Sequence, residues 1–137
     1  MTHPDGYNEL RWDCDERGCF NVKRRPKIEQ FSPFLPGKIG FGDVDGIVEV
    51  RQHFLLLEWK GDQRRNLPRG QQILYERLTL DTRFCVLVVS GNAETMQVSA
   101  FSYFRSGKQS HWIDADFARI GRFIQRWSEA MQREKAA

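Results

Sequence analysis

Hydrophobic and polar positions alternate in two closely spaced stretches near the middle of the chain. The first is Gly42-Asp43-Val44-Asp45-Gly46-Ile47-Val48-Glu49-Val50. The second, after Arg51-Gln52-His53, is Phe54-Leu55-Leu56-Leu57-Glu58-Trp59-Lys60-Gly61. So short a polar break between two strand-like stretches predicts an antiparallel hairpin. Period-two alternation places Asp43, Asp45, Ile47 and Glu49 on one face of the first strand. It places Phe54, Leu56, Glu58 and Lys60 on one face of the second. The end of the second strand lies beside the start of the first, which brings Glu58 and Lys60 close to Asp43 and Asp45. A strand that opens with four apolar residues is mostly buried, so charges converging at its far end call for an explanation.

Downstream, residues 61–70 form a polar loop carrying Arg64, Arg65 and Arg69. A helix is expected from Gln71, with Leu74, Tyr75 and Leu78 on the same stripe as Gln71. Phe84 to Val89 is a continuous apolar run ending at Ser90-Gly91, the pattern of a central strand covered on both faces. Met96–Phe104 and Gln109–Ile113 flank Arg105-Ser106-Gly107-Lys108 and predict a second hairpin. Asp114 is the expected N-cap of a last helix with Phe117, Ile120, Ile124, Trp127 and Met131 along its apolar stripe. Arg119, Arg122, Arg126 and Arg133 lie off that stripe and read as a solvated face, although a basic helix could lie against DNA. Upstream, Ile28, Phe31, Phe34 and Leu35 recur at near-helical spacing, and Pro33 and Pro36 limit any helix to a turn or two. A strand is expected after it, around Lys38 to Phe41.

The length of 137 residues, with 40% hydrophobic and 12% aromatic residues, bounds the chain to one folded domain spanning 1–137. A net charge of +3 allows a polyanionic partner without requiring one. No apolar run reaches the length of a membrane span and residues 1–6 lack a signal-peptide core, so a cytoplasmic protein is expected. Of the three cysteines, Cys85 sits in the apolar run and reads as a buried thiol. Cys14 and Cys19 would need two further ligands to hold zinc, and His3 is the only nearby candidate.

The chemistry concentrates in Asp45, Glu58-Trp59-Lys60 and Gln71. Carboxylates from adjacent strands at one sheet edge can share a divalent cation, with the Trp59 backbone carbonyl as a third oxygen ligand. Hard oxygen ligands with open positions suit Mg²⁺ or Mn²⁺. Asp43 is an equally placed rival for the metal, and Glu49 points to the same face farther along. Lys60 emerges beside Glu58 and can reach a scissile phosphate or the attacking water, as metal-assisted phosphodiester hydrolysis requires. Acid-x-Lys on a strand is also a common structural ion pair. Lys23, Arg24 and Arg25, in the basic run 23–27, and Arg64, Arg65 and Arg69 are candidate contacts to a DNA backbone, a kind of contact that binds without reading sequence.

Asp-Gly-Ile-Val-Glu, Phe-Leu-Leu-Leu-Glu-Trp-Lys, Arg-Gly-Gln-Gln and Val-Leu-Val-Val together resemble, in their order, the PD-(D/E)XK nuclease superfamily. They look closest to small phage members near the VRR-NUC and Holliday-junction-resolvase groups. The resemblance covers about residues 38–91 and leaves the C-terminal hairpin and helix, about 96–134, outside the match. It implies a single restriction-endonuclease-like α/β domain with an αβββαβ core and a mixed central sheet. It further implies a Mg²⁺-dependent deoxyribonuclease in which Asp45 and Glu58 hold the metal and Lys60 assists the attacking water. Gln71 matches a glutamine that some subfamilies place on the following helix, with Gln72 as the fallback. Val44 stands where the superfamily's motif has proline, and Glu9 and Glu29 both remain open for its first-helix glutamate. A nuclease-like fold kept as a non-catalytic nucleic-acid or protein-binding module, such as a phage inhibitor of a host system, is the alternative. A homodimer would suit cutting of both strands, but no interface is legible in the sequence.

Overall fold

A computed structural model describes residues 25–62 and 66–134. The chain divides between Phe41 and Gly42 into two units. In the first, Ile28–Phe34 form a 3-10 helix containing Pro33. The strand expected around 38–41 is not formed: Gly37, at φ 61, leads through a turn into irregular backbone. Glycines at 37, 40 and 42 weaken any intrinsic strand preference there.

The second unit is a mixed α/β structure with a C-terminal helix. Its strands are β1 (Gly46–Val50), β2 (His53–Lys60), β3 (Phe84–Asn92), β4 (Gln97–Arg105), β5 (Lys108–Gln109) and β6 (Ile113–Asp114). Sheet order is β1-β2-β3-β4, with the short β5 and β6 both pairing along β4. β2 and β3 run parallel, joined through helix α1 (Arg69–Leu78), and the other pairings are antiparallel. Among the described residues, two strands rather than three precede α1. Helix α2 (Phe117–Arg133) closes the chain.

The expected hairpin forms, one residue tighter than the sequence suggests. Arg51 and Gln52 both take positive φ (49° and 70°), and His53 already pairs with Val50. Two consecutive left-handed residues match the right-handed twist of the flanking strands. Neither is glycine, so the turn is held from outside. The Glu49 carboxylate accepts from the Gln52 N–H at 2.9 Å, and the Arg51 guanidinium donates to the Gln132 carbonyl of α2 at 2.9 Å.

Alternation then sorts side chains between two helices. Leu56, Val86 and Val88 join Tyr75 of α1 and Phe104 in one cluster. Leu55, Cys85, Leu87 and Val89 join Phe101 and, from α2, Ile120 and Trp127 in another. β3 is buried from Cys85 to Gly91, as a strand covered on both sides must be. Cys85 is a buried free thiol, which burial pushes above its ordinary pKa. Three local expectations give way to packing. α1 starts at Arg69, and Leu74 is exposed on its outer side. The cap of α2 is Asp116, whose carboxylate accepts from the Arg119 N–H at 2.8 Å, while Asp114 lies in β6. Finally, Phe117 and Ile124 are exposed, and Phe123 packs on the core in their place. No helix among the described residues is long and apolar enough to cross a membrane.

At the register shift between Ser90 and Gly91, β4 crosses so close that a Cβ on Gly91 would clash with the Gln97 carbonyl oxygen. Gly91→Ala is therefore expected to cost about 1–3 kcal/mol, read as a lower midpoint of urea unfolding. An unchanged midpoint would contradict the tight crossing.

Candidate metal and phosphate site

Parity places Glu58 on the face of β2 that α1 covers. Its carboxylate is 6% exposed and both oxygens are engaged. Oε2 accepts from the Tyr75 hydroxyl at 2.8 Å, and Oε1 lies 3.3 Å from the Lys60 ammonium. Tyr75 in turn accepts from the Gln71 side-chain amide at 3.4 Å. The Gln71 Oε1 is buried and has no hydrogen-bond partner. Burial, and then the bond to Glu58, push the Tyr75 phenol well above its ordinary value, so it stays a neutral donor.

Asp45 arrives from the other strand. β1 pairing stops with Gly46 opposite Leu57, and one further step of that register sets Asp45 opposite Glu58. Here a side chain takes over from the backbone ladder: Asp45 Oδ2 accepts from the Trp59 N–H at 2.6 Å. In extended backbone the N–H and C=O of one residue leave on the same side, so the Trp59 carbonyl faces this same rim. Asp45 is an exposed residue, but its carboxyl is partly desolvated where it meets Trp59. That desolvation first, and then the like charges of Glu58 and Asp43, raise it above its ordinary pKa. The Trp59 N–H and, more weakly, Lys60 oppose that shift.

The hairpin thus brings Asp45, Glu58, Lys60 and the Trp59 carbonyl to one rim, and Gln71 joins through Tyr75. Asp43 is exposed and adds to the negative field. Other residues read from the sequence are occupied elsewhere. Gln72 bonds Glu76 and Gln109, at 3.1 and 2.9 Å, and Glu49 caps its turn. In the first unit Arg25 grips Glu29 at 2.9 Å, holding that exposed carboxyl at about 2. Arg69 is exposed in the first turn of α1. His3, Glu9, Cys14, Cys19, Lys23, Arg24, Arg64 and Arg65 lie outside the described residues.

Tyr75 is the member that sequence reasoning missed. It reads as one apolar position in a helical stripe, but a buried phenol needs a hydrogen-bond partner, and that requirement was the available signal. No group of three or more His, Cys, Asp or Glu among the described residues forms a ready metal cage. The donor set is two carboxylates and a carbonyl, which fits a hard divalent cation retaining open positions. Crowded negative charge that raises Asp45 is what such a cation would relieve. Full engagement of Glu58 requires Lys60 to swing aside first.

Two measurements probe this rim. Asp45→Asn keeps an acceptor for the Trp59 N–H and removes a charge that the fold disfavours. A carboxyl whose folded pKa is raised is most favourable when protonated. Its penalty is therefore full at pH 7 and vanishes below the unfolded value of about 3.9. The variant should melt above wild type at pH 7, with the gap closing as pH falls through that window; a variant less stable at pH 7 refutes the electrostatics. Tyr75→Phe leaves Glu58 short of a donor and is expected to lose about 1–3 kcal/mol in urea unfolding. No family model, curated protein or solved structure matches this chain.

Proposed function

We propose that this protein is a divalent-metal-dependent nuclease acting on phosphodiester bonds in DNA, built on a nuclease-like arrangement in which β1, β2, α1 and β3 carry the site. The observation that carries the reading is the buried Glu58, paired with the half-buried Lys60, beside the charge-crowded Asp45. Like charges crowded beside a buried acid at the rim of a sheet are an arrangement that functional sites favour. Asp45, Glu58 and the Trp59 carbonyl would hold Mg²⁺ or Mn²⁺. When bound, that ion supplies positive charge against phosphate oxygens and acidifies water.

The chain's own residues do the rest. Tyr75 donates to Glu58 and fixes the orientation of its carboxylate. Lys60, released from Glu58, donates from its ammonium to a phosphate oxygen or to the attacking water. The unpartnered Gln71 side-chain oxygen, on the amide that donates to Tyr75, is an acceptor that could hold the displaced ammonium. Arg69, with Arg64 and Arg65 in the adjoining loop, would contact the phosphate backbone.

One observation favours a second reading. Both Glu58 oxygens are satisfied without a metal, as expected of a nuclease-like fold retained for binding alone. Cleavage of plasmid and branched DNA with and without EDTA separates the two. The enzyme cuts only with Mg²⁺, and Lys60→Ala loses about 100-fold or more in rate while keeping its fold. DNA binding insensitive to EDTA and to Glu58→Ala, with no cutting by wild type, would establish the binding module instead.

A further inference from the structure

We infer that the cleft between α2 and the end of the sheet where β3 begins and β4 ends binds a small organic phosphate with a planar apolar group, of the nucleoside monophosphate class. The cleft encloses about 460 Å³, within the range of small-molecule sites. It opens on the α2 face, whereas Glu58 lies under α1 toward the other end of β2. The inference therefore does not rest on the nuclease reading.

Two of its cations are placed by aromatic rings. Phe123 of α2 packs against both Phe101 and Tyr103, each at 5.6 Å between ring centroids. The Arg119 guanidinium lies 5.1 Å over Phe101, and that of Arg105 lies 5.4 Å over Tyr103. Both arginines line the cleft, joined by Arg126. Among the described residues no carboxylate pairs with any of the three. Of the other charged groups lining the cleft, Arg83 is paired with Asp81 at 2.8 Å, and the Glu134 carboxylate is turned to the His53 ring at 2.8 Å.

A guanidinium held by a ring face can still turn in-plane N–H donors to a ligand, and that fork matches phosphate oxygens. Arg105 also reaches the Cys85 thiol, and Arg119 has no such partner among the described residues. Arg105, Arg119 and Arg126 around one cavity repel one another until an anion enters. Phe123, Trp127 and Met131 contribute an apolar wall beside them. An inorganic anion would leave that wall unused; a nucleoside would lie against it.

Calorimetric titration of the full chain with adenosine 5′-monophosphate, in EDTA to silence any cation site, tests the inference. Saturable one-to-one binding is expected, with adenosine and inorganic phosphate each at least about tenfold weaker. The double variant Arg119→Gln/Arg126→Gln should also bind at least about tenfold more weakly, while Arg122→Gln, off the cleft, binds as wild type. If the double variant fails to fold by circular dichroism, Arg126→Gln alone, on an exposed side chain, is read in its place. No saturable binding overturns the inference. So does adenosine or phosphate matching the monophosphate, equal binding by the cleft variants, or an equal loss in Arg122→Gln.

Discussion

Glu58 is a carboxylate taken almost wholly out of water in the middle of an α/β sandwich. Left alone there it would cost several kcal/mol, and an apolar residue of similar size would serve the core better. Two contacts make it tolerable: the Tyr75 hydroxyl at 2.8 Å and the Lys60 ammonium at 3.3 Å. The first does more than offset desolvation. Tyr75 also packs edge-on against Phe104, with ring centroids 5.5 Å apart, so one side chain ties α1 to the sheet and to the acid together. The position of α1 and the orientation of Glu58 are thus a single constraint.

That constraint works only because register is held at the other end of the hairpin. A slip of one residue would turn Glu58 and Lys60 toward α2 and bring Leu57 and Trp59 under α1. The two-residue turn at Arg51-Gln52 prevents it, although it uses residues that prefer other backbone conformations. Its anchors are the Glu49 carboxylate from within the hairpin and the Gln132 carbonyl of α2, with the His53 ring adding a 2.8 Å contact to Glu134. The helix on one face therefore helps to fix what is displayed on the other.

The sheet also separates charge. Acids crowd the rim under α1, and three arginines without an acid partner among the described residues line the cleft beside α2. The cations are also held differently from the acids. Stacking on Phe101 and Tyr103 leaves guanidinium donors exposed, whereas the Lys60 ammonium is consumed by its carboxylate until something displaces it.

Patterns of period two and of helical period sufficed, from the sequence alone, to place the hairpin, the buried central strand, both helices and the convergence of Asp45, Glu58 and Lys60. Those features depend on local backbone geometry and on parity, which residue order states directly. The strand expected at 38–41, the cap assigned to Asp114 and the roles of Phe117 and Ile124 were not recoverable that way. Each depends on whether a neighbour is present to accept a hydrogen bond or cover a face. The part played by Tyr75 and the grouping of Arg105, Arg119 and Arg126 belong to the same class. Hydrogen-bond partnership and ring stacking join residues distant along the chain, and only folding brings those atoms within reach.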